Sequence, residues 1–119
     1  MGFYDQRATL VQPGWRSGDY GGSVETWDPA EGATAEPVPF GVDVQPWVST
    51  ETLEDGTRIS TMHGYRLHTP PGRDLAVDER TAVQWRGDLY TVKGTKRWPS
   101  GDYPSGVDHV VLDLELREG

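Results

Sequence analysis

The sequence contains no cysteine. No disulfide framework can brace the fold, and no thiolate metal site can form. Long apolar runs are also missing, so no segment is expected to span a bilayer and no membrane partner is expected. The chain does not open on a basic, apolar leader, which leads us to expect folding in a cytoplasm rather than export. Basic residues are few: 11 Lys and Arg stand against 19 Asp and Glu, a formal charge of −8. Such a surface repels phosphate backbones, and no basic stripe of the kind that grips duplex DNA is present. This argues against ordinary nucleic-acid binding. It would suit a surface along which DNA slides without sticking. Helical periodicity is the last absence, and it excludes a helical bundle.

Turn formers and alternation fill that space. The 119 residues include 15 Gly and 9 Pro, enough punctuation for many short connections. Between them lie runs of period two. Arg7 to Gln12 and Ser23 to Trp27 read as the first strands, separated by the loop "PGWRSGDYGGS". After the acidic connection "DPAEGATAEPVP", Phe40, Val42 and Val44 share one parity in a strand ending near Pro46. The segment "WVSTETLEDG" reads as a polar loop. Thr57 to Thr69 is then a long strand with Ile59, Tyr65 and Leu67 on one face. Thr81 to Val92 reads as a hairpin around a Gly-Asp tip, "KGTKRWPSGDYPSG" as a second long loop. The last strand alternates most cleanly and assigns Val110, Leu112, Leu114 and Leu116 to the core. The expected fold is all-β: one domain over residues 1–119, a small β-barrel or sandwich of about seven strands with long loops.

The hairpin contains Arg86-Gly87-Asp88, a tripeptide that many secreted proteins show to adhesion receptors. Here the flanking strands make it turn chemistry, and no receptor is needed to explain it. Catalytic constellations are not found. His63 and His68 are five residues apart, so an unbroken strand puts them on opposite faces, and no metal site is expected. No nucleophile elbow occurs, and the carboxylate pairs Glu54-Asp55 and Asp78-Glu79 lie in turn-like, solvated segments. The chain is therefore not expected to be an enzyme, and no cofactor is expected. The aromatic residues offer more. Trp15, Tyr20, Trp47, Trp98 and Tyr103 all fall in or beside the long loops, where they can cap a small core or anchor a neighbouring subunit.

The segments "PPGRDLAVDERTAVQWRGDLYTVKGTKRWPSG" and "DHVVLDLELRE" resemble the C-terminal half of the head-to-tail stopper proteins of long-tailed actinobacteriophages, also called head-closure or head-completion proteins. "SGDYGGS" and "FGVDVQP" match in order in the N-terminal half. The resemblance implies a small β-barrel that assembles as a ring, six copies in the family, in the neck of the virion. Its implied partners are further copies of itself, the portal-side adaptor, the tail terminator or tail-completion protein, and packaged double-stranded DNA that passes without sequence-specific binding. Assembly would take place in the host cytoplasm. The family's channel-closing loop corresponds by strand order to Trp47, Val48, Ser49, Thr50, Glu51, Thr52, Leu53, Glu54, Asp55 and Gly56. In a ring, Glu51, Glu54 and Asp55 would form an acidic constriction, and Gly56 would let the loop hinge. Trp15, Asp19 and Tyr20, with Arg97, Trp98 and Tyr103, are the candidate assembly contacts. Two rivals remain: a carbohydrate-binding β-sandwich module using loop tryptophans, and a small barrel hydrolase or isomerase without a visible catalytic set.

Overall fold

A computed structural model describes residues 4–18 and 21–117. It holds nine strands: β1 (Thr9–Gln12), β2 (Gly14–Ser17), β3 (Ser23–Thr26), β4 (Thr34–Pro37), β5 (Asp43–Thr52), β6 (Arg58–His68), β7 (Ala82–Trp85), β8 (Asp88–Pro99) and β9 (Val107–Leu116). One 3-10 turn, Pro29–Glu31, is the sole helical element among the described residues. Seven strands form one antiparallel sheet in the order β4-β1-β7-β8-β9-β6-β5, while β2 and β3 make a separate two-stranded ribbon. The all-β expectation holds, in a sandwich-like form with no closed barrel.

The sheet curls around a core of Val42, Val44, Leu67, Leu75, Val83, Trp85, Tyr90, Val110, Leu112 and Leu114. Period-two alternation on β9 puts Val110, Leu112 and Leu114 there, as expected; Leu116 is the exception, at 52% exposure. It follows the inward parity and pairs with Tyr90 of β8, but the β6–β9 ladder has ended at the Tyr65–Leu114 pair. Tyr65, Trp85 and Tyr90 meet edge-on or tilted at centroid distances of 5.0 to 5.9 Å, closing one end of the core.

Gln6 fastens the two ends of the curl. Its backbone makes an antiparallel bridge with Val42, which leads into β5. Its side-chain amide donates to the Val44 carbonyl at 3.1 Å and accepts from the Trp85 indole at 3.1 Å. Trp85 is 94% buried, so its N–H has no water to turn to if that acceptor is lost. Gln6→Ala is expected to cost about 1–3 kcal/mol, the desolvation penalty of an orphaned buried donor. Urea unfolding checks it: the midpoint should fall with an unchanged slope.

The strand assignments need four corrections. First, β2 and β4 occupy segments read as loops. All four residues of β4 are exposed, so its pairing with β1 comes from backbone bonds and leaves no alternation to read. Second, β5 continues through Thr52 and β8 through Pro99, absorbing the first six residues of the expected channel loop and Lys93–Pro99 of the second long loop. Third, Ile59 does not share a face with Tyr65 and Leu67. A bulge at His63 and Gly64 inserts one extra residue opposite the Trp47–Val48 step, so Met62 takes the inward parity and Ile59 turns outward. Fourth, the tip of the β7–β8 hairpin is Arg86-Gly87, with Asp88 already in β8 opposite Trp85. Both tip residues have positive φ, 53° and 83°, which makes a type I′ turn. Arg86 tolerates that conformation while its guanidinium lies 4.8 Å from the Trp85 ring centroid.

The molecule is extended. Its radius of gyration is 17.2 Å and its extents are 54 × 45 × 26 Å, whereas a compact domain of this length would give roughly 13–14 Å. The β5–β6 hairpin is a principal reason.

Candidate functional site

β6 pairs with β9 only from Tyr65 to His68, and β5 is the outer strand of the sheet. Beyond the bulge, Val48–Thr52 and Arg58–Met62 therefore bond only to each other. Five cross-strand pairs at about 3.3 Å each carry this ribbon about 17 Å beyond the body. Among the described residues no other strand pairs with either edge, and Val48, Leu53, Ile59 and Met62 are each 43–53% exposed. An isolated two-stranded ribbon is marginal in water, so an arm with exposed apolar side chains is built to meet something.

The base of the arm is tied down. Arg66 donates from Nε to Asp113 Oδ1 at 3.0 Å, and its guanidinium covers the Trp47 ring at 4.2 Å. His63 packs against the same indole at 4.9 Å, and its Nε2 lies 2.6 Å from Ser49 Oγ. Gly64 supplies the bulge with φ +141°, and its Cα faces the Leu114 carbonyl so closely that a Cβ would sit 2.1 Å from that oxygen. The outward-facing aromatic, the ion pair and the bulge tie the base of the arm to the sheet.

The tip is a type I turn followed by a glycine. Leu53 and Thr57 pair through a 2.7 Å bond, the Gly56 N–H reaches the Leu53 carbonyl at 2.9 Å, and Gly56 has φ +86°. Gly56 thus has a defined conformational task within the turn. Asp55 Oδ1 accepts from the Thr57 N–H at 2.9 Å. That bond, with the Thr57 hydroxyl next in weight, holds the Asp55 carboxyl below its ordinary range. Because the pKa is depressed, the charge is complete above the ordinary Asp value and is lost only as pH falls through the lower one. Asp55 therefore keeps its charge across physiological pH, on a tip whose sequence also carries Glu51 and Glu54. Thr57→Val should move the Asp55 midpoint upward, read by carboxyl carbon shifts during an NMR titration; an unmoved midpoint would show that the hydroxyl contributes nothing.

Among the expected assembly residues, Asp19 and Tyr20 lie outside the described residues. Trp15 is in the β2–β3 ribbon, 51% exposed, with Arg80 5.1 Å from its ring. Arg97, Trp98 and Tyr103 gather at the far end of β8. Arg97 binds Asp74 Oδ1 at 2.8 Å and the Leu75 carbonyl at 3.0 Å. Trp98 stacks on His109 at 4.3 Å and 15°. Tyr103 lies over Gly72, where a Cβ would come within 2.6 Å of its ring. Trp98 remains 41% exposed.

The structure also pairs Ser49 with His63, a contact that the sequence reading missed because the two belong to different strands. Both are exposed, and no carboxylate orients the imidazole among the described residues. A nucleophile needs that orientation and an anion-stabilising pocket. The parity argument that separated His63 from His68 fails, since the bulge turns His63 toward the face of Trp47 and Ser49. Among the described residues no group of three or more His, Asp or Glu is placed to hold a metal ion.

No family model and no curated protein matches the sequence. Among solved structures, the phage-like element PBSX protein xkdH from Bacillus subtilis is similar in outline. It is 13% identical, with 92% of this chain and 93% of that chain covered and a TM-score of 0.39. A likeness that loose carries no argument about role.

Proposed function

We propose that this chain is a phage virion structural protein of the neck, a head-to-tail stopper. Copies form a ring below the portal-side adaptor, close the DNA channel, and offer the tail terminator or tail-completion protein its attachment surface. The role is architectural, with no catalytic step. The observation that carries this reading is the β5–β6 arm. It extends beyond the β6–β9 ladder as a ribbon whose outer part carries Glu51, Glu54 and Asp55. Repeated around an axis, such tips make an anionic constriction that obstructs duplex DNA without adhering to it. The stopper resemblance of "AVQWRGDLYTV" and "KRWPS" supports the same role, and under that resemblance the arm corresponds to the family's channel loop.

Labelling of intact particles with antibody against the chain tests the reading by electron microscopy. The expected label lies at the junction of head and tail. Label confined to the tail tip or the capsid surface would contradict it and would favour glycan recognition by the exposed tryptophans.

A further inference from the structure

The body is left uncovered where β6 parts from β9, beyond the Tyr65–Leu114 pair. Met62, Tyr65, Tyr90 and Leu116 line a groove of about 490 Å³, with His63, Asp88 and Glu115 at its rim. Met62 and Leu116 are each more than half exposed although both follow the inward parity of their strands. Asp88 makes no ion pair among the described residues, and Glu115 has only a 3.8 Å approach from exposed Lys93. The groove therefore combines apolar side chains with two carboxylates.

Its complement stands at the other end of β8. Trp98 lies there with Lys96 two residues before it on the same face of the strand, and Lys96 makes no ion pair among the described residues, whereas Arg97 is already held by Asp74. The His109 stack holds one face of the indole, so little rotamer freedom remains to be lost on docking. Buried Trp beside a cation is the usual composition of an interface anchor. Ten residues of strand, about 33 Å, separate Asp88 from Trp98. One chain cannot bring its own ridge to its own groove. A second copy can, because the two surfaces differ and lie at opposite ends, the arrangement of a heterologous contact that closes by rotation. Copies that each carry a formal charge of −8 repel as wholes, so a basic ridge meeting an acidic rim is where they can approach.

We propose that Trp98 of one copy seats in the groove formed by Met62, Tyr65, Tyr90 and Leu116 of the next copy, with Lys96 opposite Asp88 and Glu115. This rests on the ring reading and names the surfaces that make the ring.

Sedimentation velocity of the full chain over a wide concentration range, with Trp98→Ala and Asp88→Lys separately and mixed, tests the contact. Wild type should self-associate, and each variant should weaken association by about 30-fold or more, as for a hot-spot residue. The mixture should give one-to-one dimers, because the Trp98→Ala chain keeps an intact groove and the Asp88→Lys chain an intact ridge. Thermal unfolding of each variant checks that it folds, and Lys96→Glu, a fully surface change, provides a second ridge variant. Asp88→Lys with Lys96→Glu in one chain should restore association. Wild-type assemblies that survive every variant would overturn the contact and leave the ring to other surfaces. Mixed variants that stay monomeric, or a wild type monomeric at every concentration, would overturn it as well, with the neck position still open to particle labelling.

Discussion

Replacing Ser49–Thr61 with Asn-Gly is expected to give a chain that folds and particles that do not keep their DNA. The replaced residues are all exposed, and none belongs to the core. Val48 and Met62 already face each other across the ribbon, so a two-residue turn of the type I′ class can close the shortened hairpin there. Stability should therefore change little, within about 1 kcal/mol for a solvent-exposed ribbon that is marginal by itself. Function should change greatly. On the proposed ring reading the tips supply the constriction, so without them most of the packaged DNA should become sensitive to added nuclease. Neutralising Glu51, Glu54 and Asp55 to Gln and Asn within a full-length arm separates bulk from charge. If the neutral arm retains DNA, the obstruction is steric; if it leaks as the shortened arm does, the charge is essential. Particles that retain DNA with the arm cut away would remove the arm from the closing mechanism.

Gly64→Ala is expected to be the most damaging single substitution on the arm. Two effects add. The φ of +141° is strained for any residue with a side chain, costing about 1–3 kcal/mol. The added Cβ would also meet the Leu114 carbonyl oxygen at 2.1 Å. That oxygen belongs to the backbone of β9, beside the Tyr65–Leu114 pair of the β6–β9 ladder, and cannot rotate away as a side chain would. Either the bulge or the ladder must give, and a total of roughly 3–5 kcal/mol is a large share of the 5–15 kcal/mol that a domain has. Gly56→Ala is the comparison. Its φ of +86° is also positive, but nothing lies within 4 Å of the new methyl, so only the left-handed strain remains, about 1–2 kcal/mol. Chemical denaturation should rank Gly64→Ala well below Gly56→Ala. Equal losses would show that crowding against β9 is not what the bulge glycine avoids.

What could be read from the sequence followed burial. β9 and the Thr81–Val92 hairpin were legible because one face is buried, and the alternation records it. Trp85 and Tyr90 of that hairpin are both buried. The arm was not legible as strand. Its residues are wet on both faces, so Ser49, Thr50, Glu51 and Thr52 carry no period and read as loop. β4 was missed for the same reason. The bulge had a signal, since a lone glycine inside a strand pattern marks one, and Gly64 stands in the middle of Thr57–Thr69. Counting through it placed Ile59 on the wrong face and His63 opposite His68. Trp98 was read as a loop aromatic that could cap the core or anchor a neighbour; it lies in β8 and is partly exposed. The groove that could receive it was hidden, because Met62, Tyr90 and Leu116 are far apart in sequence and only the sheet order brings them together.

The central claim is the position of this chain on the axis through which DNA leaves the head. A cryo-electron-microscopy reconstruction of the particle neck tests it most directly. The expected density is a ring of this chain between adaptor and tail, with each β5–β6 arm directed inward and Glu51, Glu54 and Asp55 nearest the axis. A ring with its arms on the outer surface would contradict the closing mechanism, and a neck that lacks the chain would contradict the assignment itself.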